Sequence, residues 1–114
     1  MTKEIPHQHK ELEARDLQVH FSPAVQDALR TITVAARDSR HFDSGAYQIA
    51  KEWSSGKPTS VHDVMISLPA VAAEVMQHVA TTRDETMKEA WDDLCTQIAE
   101  KNGFTVSQSL QRRR

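Results

Sequence analysis

The chain has few means of cross-linking or of building a deep core. Cys95 is its single cysteine, so no disulfide and no four-thiolate metal site can form within one chain, which suits a reducing compartment. Aromatic residues amount to 5%, which limits the bulk available to the core. A run of about 18–20 apolar residues, the length of a membrane span, is also missing. The most apolar stretch, residues 64–80, is interrupted by Ser67, Pro69, Glu74, Gln77 and His78. The N-terminus has no apolar segment of the secretory type, and the expectation is a cytoplasmic protein with no membrane association. Neither charge sign dominates: 14 Lys and Arg against 16 Asp and Glu leave a net charge of -2, too balanced to announce nucleic acid or an anionic membrane as partner.

What is present is enough for one small domain. The 114 residues are 39% hydrophobic and 26% charged, with a mean hydropathy of -0.57. Residues 1–16 read as a polar arm, 17–104 as a single helical domain and 105–114 as a polar, basic tail. Leu17 to Phe21 alternate apolar and polar, as in a short strand, and Ser22 with Pro23 then opens a helix to about residue 38. A second helix spans Ser44 to Ser54, followed by a turn rich in serine, glycine and proline as far as Ser60. Ser60 and Asp63 start a short helix over 61–66, and Ser67 with Pro69 predicts a break before a fourth helix. Thr82 and Glu85 form a capping box for the last helix, whose apolar stripe runs through Met87, Trp91, Leu94, Cys95 and Ile98 to a glycine stop at Gly103. The fold class is mainly α: a small bundle of four to five short helices with a short strand at 17–21. Its core anchors are Trp53, Trp91, Leu29, Ile32, Ile49, Val75, Leu94 and Ile98, and a tryptophan left exposed would mark a partner surface.

Catalytic signatures are weak. The six histidines are scattered; Glu74 and His78 share a helical face at i, i+4, but a metal site there would need ligands from another chain. Cys95 sits on an apolar stripe of an acidic helix, which favours a core residue over a nucleophile. Gly56-Lys57-Pro58-Thr59 lacks the upstream glycine of a phosphate loop, since position 51 is lysine. No catalytic residue, cofactor site or metal site is assigned, and the expectation is a protein that is not an enzyme.

Two kinds of binding surface remain. The last helix has a local charge of -4, and its acidic residues Glu85, Glu89, Asp92 and Asp93 border the apolar stripe as a candidate surface for a basic protein partner. The leading expectation is a non-enzymatic regulator, adaptor or inhibitor that docks on a protein and self-associates as a homo-oligomer. The alternative is a dimeric DNA-binding regulator. The order of strand and two helices over residues 17–54 resembles the ribbon-helix-helix family of small repressors; that resemblance implies a strand paired with its twin and Gln18 and His20 facing the major groove. Residues 47–64 are similar to a helix-turn-helix, with Thr59, Ser60 and His62 near the start of a reading helix. Arg37, Arg40 and Lys57, with Arg112, Arg113 and Arg114 at the end, are the candidate phosphate contacts.

Overall fold

Ser22 and Pro23 start the first helix as their chemistry dictates: the Ser22 hydroxyl accepts the Val25 N–H at 3.2 Å, and proline occupies a position whose N–H has no helical partner. The computed structural model describes residues 17–37, 39–40, 42–100 and 102–108. They form β1 (Leu17–Phe21), α1 (Pro23–Ala36), α2 (Ser44–Ser54), β2 (Thr59–Ser60), α3 (Val61–Thr82), α4 (Glu85–Ala99) and β3 (Phe104–Gln108). The fold is mainly α, with four helices among the described residues and a small antiparallel sheet.

The core is built on α1. Val25, Leu29 and Ile32 recur every three or four residues on one face and are at most 1% exposed, packed between α2 and α4. Trp53 of α2 joins them and meets the Phe21 ring at 5.4 Å. Of the expected anchors, Trp53, Leu29, Ile32, Val75 and Leu94 are buried, whereas Ile49, Trp91 and Ile98 are half-buried at its margin. Val19 and Phe21 of β1 enter the core while Gln18 and His20 take the other face, following the alternation.

Four sequence expectations change. First, the segment expected as a tail from Thr105 opens as a strand: β3 pairs antiparallel with β1 from Leu17 opposite Gln108 to Phe21 opposite Phe104. Its pairing partner lies far away in sequence, so no local signal announces it. Residues 109–114, including Arg112, Arg113 and Arg114, and the arm 1–16 lie outside the described residues. Second, no break separates two helices at Pro69; α3 is one helix of 22 residues. Val64, Leu68, Val71, Val75 and His78 continue a 4-3-4-3 inward spacing straight through the proline, which lies on the exposed side. Third, the cap of α4 is Asp84 and not Thr82: Thr82 closes α3 by donating to the His78 carbonyl, Arg83 turns the chain in the left-handed region at φ 61°, and Asp84 accepts the Met87 N–H at 3.0 Å.

Fourth, Gly103 is needed for space and not for a left-handed turn. The end of α4 closes with the Asn102 N–H on the Gln97 carbonyl at 3.0 Å, while positive φ among the described residues occurs at Gly56 and Arg83. A Cβ on Gly103 would stand 2.9 Å from Cγ2 of Val25 and 3.1 Å from the Ile98 backbone nitrogen, and its carbonyl accepts the Ser22 N–H at 2.7 Å. Gly103 is therefore the point where the end of α4 touches the start of α1. Gly103→Ala is expected to cost about 1–3 kcal/mol in urea unfolding, because the clash is with backbone and a fully buried valine; an unchanged midpoint would refute this contact.

Candidate interaction surface

Among the described residues, the inward spacing of α3 leaves its opposite side without a partner. Only Val71, Val75 and His78 of the helix are fully buried. Across from them stand His62, Ile66, Pro69, Ala73, Met76 and Ala80, all exposed and confined to an arc of roughly 80° at 100° per residue. Met65, Ile66 and Met76 are 65%, 61% and 61% exposed, an unusual state for large apolar side chains clustered on one face. The helix carries Asp63 and Glu74, both away from this arc, and no lysine or arginine. By length and composition α3 is also long and apolar enough to cross a membrane, which the expected break at Pro69 concealed.

Beside this face, α3 and α4 leave an apolar groove of about 300 Å³ lined by Val75, Met76, Val79, Ala80, Trp91 and Cys95, with Lys88 and Asp92 at its edge. Trp91, expected as a core anchor, is half-buried at this groove. Cys95 corrects its expected core placement: it is exposed on the groove, because the stripe of α4 is wider than the surface α1 and α3 cover. Partial burial, then the Asp92 carboxylate, push its thiol above the ordinary cysteine value, which keeps it a poor nucleophile.

Glu85, Glu89, Asp92 and Asp93 are all exposed on α4. They divide between two sides: Asp92 pairs with Lys88 at 3.0 Å on the α3 side, while Glu89 and Asp93 face α1, where Asp27 adds a third carboxylate along a shallow depression. The depressions between α1 and α4 are wider, the larger about 620 Å³, but they are bordered by short or charged side chains such as Asp27, Arg30 and Thr86.

The residues of the DNA reading do not converge. Gln18 and His20 share the outer sheet face with Thr105 and Ser107, and His20 Nε2 is 2.7 Å from the Ser107 hydroxyl. One edge of β1 is paired along its whole length with β3 and β2 pairs with Gln18 and Val19 on the other, which leaves little edge for a twin strand in the ribbon-helix-helix manner. Arg37 and Arg40 follow the far end of α1, about 20 Å along its axis from the sheet. Thr59 and Ser60 are half-buried in β2 and do not lie on a reading helix; the Ser60 hydroxyl is spent on capping α3 by accepting the Asp63 N–H at 3.0 Å. His62 and Lys57 are exposed on either side of them.

One polar cluster escaped the sequence reading. His78 is 4% exposed; its Nδ1 is 2.8 Å from the Ser39 hydroxyl and its Nε2 is 3.1 Å from Oδ2 of Asp84. The Met87 N–H, opposed by desolvation and aided by His78, holds the Asp84 carboxyl below its usual value, so Asp84 is a carboxylate and Nε2 carries the proton it accepts. In the tautomer that bears its only ring proton on Nε2, Nδ1 would accept from the Ser39 hydroxyl. This is the order of groups that activates a serine. The ring, however, is enclosed, with Phe42 edge-on at 6.3 Å, and the other oxygen of Asp84 is committed to the helix cap. As built, the cluster is a clamp joining the connector after α1, the end of α3 and the start of α4. Glu74, which on spacing alone pairs with His78 as a metal ligand, instead accepts the Asp43 N–H at 3.0 Å. Histidine and glutamate one turn apart carry no sequence mark that says which one faces inward.

Comparison with protein-family models, curated proteins and solved structures finds no match to this chain.

The clamp predicts a pH dependence. A carboxyl whose pKa is depressed by folding stabilises the protein above its unfolded pKa, about 3.9, and that stabilisation is lost as pH falls through the lower folded value. Asp84→Ala should therefore cost about 1–2 kcal/mol at neutral pH, chiefly through the lost cap, and the difference from the parent chain should shrink on acidification. Urea unfolding across the acid range checks both.

Proposed function

We propose that this protein is a non-enzymatic interaction module, a small regulator, adaptor or inhibitor that docks a polypeptide on the outward face of α3 and the adjoining α3/α4 groove. The observation supporting it is the uncharged apolar arc of α3, continuous with a groove lined by a half-buried tryptophan. Helix faces of this kind are covered by apolar side chains of another helix, at 3–4 residue spacing. The half-buried Trp91 supplies a rigid anchor of the type that carries much of the energy at protein interfaces. The acidic residues of α4 lie beside the site and not in it: Asp92 at the groove's edge is paired with Lys88 at 3.0 Å and Glu89 lines the depression against α1, so they act on a basic polypeptide only by long-range attraction.

Photoreactive residues placed singly at Ile66, Met76 and, as control, Thr105 on the outer face of β3 test the location. Positions 66 and 76 should give discrete polypeptide adducts and position 105 should not; adducts from Thr105 alone would move the site to the sheet. Reversing Glu85, Glu89 and Asp92 to lysine should slow association of a basic partner by about tenfold at low salt and flatten its salt dependence. Stopped-flow association rates at several ionic strengths read this out.

A further inference from the structure

We infer that the polypeptide covering this face is a second copy of the same chain, paired with it antiparallel along α3 about a two-fold axis level with Val71; the inference rests on the interaction reading above and names its partner. The exposed positions 62, 66, 69, 73, 76 and 80 are spaced 4-3-4-3-4, the interval of a helix-on-helix seam. That sequence of intervals is the same in both directions. Laying α3 against its own reversed copy therefore sets every seam residue on another seam residue: His62 on Ala80, Ile66 on Met76 and Pro69 on Ala73. An isologous two-fold contact needs this self-complementarity.

Charge points the same way. A seam built for a strongly acidic or basic segment would carry the opposite sign along α3 itself, and one that lay on lipid would carry lysine or arginine along its polar side. The seam itself is uncharged, and α3 has no basic residue. Its two carboxylates stand off the seam, on the side away from the α4 groove, so self-pairing brings no like charges face to face. Small side chains at Ala73 and Ala80 allow the helices to approach closely.

The groove completes the fit. An antiparallel two-fold pairing keeps each side of the helix on the same side of the pair. Met65, which leans toward the groove side at the exposed first half of α3, is carried by the symmetry over the second half of the other copy. There Met65 of the partner subunit meets the groove lined by Met76, Ala80, Trp91 and Cys95. The same symmetry fills both grooves, and a flexible methionine suits an irregular apolar cleft.

The test is the mass of the full chain by sedimentation equilibrium, with seam variants. A seam of six positions on one helix points to a weak specific contact, so a dimer of twice 12.9 kDa should form at about 1–100 µM. Ile66→Glu and Met76→Glu should each weaken it at least about 30-fold, since each buries an unpaired charge, while circular dichroism stays unchanged because both sites are exposed in the single chain. Val34→Glu, an exposed apolar site on α1, should leave it intact. In a Cys95→Ser background, mixing Ile66→Cys with Met76→Cys should give a disulfide between the two variants, whereas Ile66→Cys alone should not, its copies standing about 15 Å apart along the axis.

A chain monomeric to about 1 mM, a dimer indifferent to both glutamates, or efficient linkage of Ile66→Cys to itself would each overturn the pairing. The two readings separate cleanly. A monomer whose photoreactive 66 and 76 positions capture another polypeptide removes self-pairing and keeps the interaction reading; a monomer that gives no adduct and floats with neutral phosphatidylcholine vesicles removes both.

Discussion

The buried stripe of α1 is the constraint on which the other helices depend. Val25, Leu29 and Ile32 are fully buried, and the most extensive helix packing in the fold is that of α1 with α4 and with α2. The fourth helix, α3, must then make do with the margins of α2 and α4 and with the sheet. Three buried residues in 22 is the result. A helix rich in valine, methionine and isoleucine held by so narrow a strip necessarily shows apolar surface elsewhere, and the exposed arc follows from how the core was shared out.

Although little of α3 is buried, both of its ends are tied. Ser60 caps the first turn from within the sheet, and His78 binds the last turns to Ser39 and Asp84. A helix pinned at both ends presents its free side in one conformation, so a partner need not order it on arrival. The clamp thereby links an enclosed polar cluster to an apolar surface on the far side of the same helix. Its buried histidine costs nothing in unmade bonds, since no buried side-chain nitrogen or oxygen among the described residues lacks a partner.

Local chemistry was readable wherever a residue acts on its own neighbours. Ser22 with Pro23, and the spacing Val25, Leu29, Ile32, marked α1; the alternation of Val19 and Phe21 marked β1. What could not be read depended on distant partners or on competition between signals. Phe104–Gln108 has the alternation of a strand but only β1 makes it one. Pro69 argues locally for a break, and the inward spacing on either side of it prevails because the ring faces outward. Of the candidate surface, the exposure of Glu85, Glu89, Asp92 and Asp93 on α4 follows from their charge, whereas Trp91 was expected in the core and is half-buried, and the exposure of Met65, Ile66 and Met76 depends on which helices take up the core. The Ser39–His78–Asp84 cluster joins residues 39 apart in the chain at one step, beyond any local pattern.

The β1–β3 ladder also bears on how the chain acquires its shape during synthesis. His20 and Ser107, neighbours across that ladder, are separated by 87 residues, so the first strand to leave the ribosome waits for the last one. The α1 and α2 pair can condense early, because its contacts are close in sequence. One long edge of β1 and the apolar side chains beneath it stay uncovered until Phe104–Gln108 is free to pair, which leaves the chain open to wrong strand pairing in that interval.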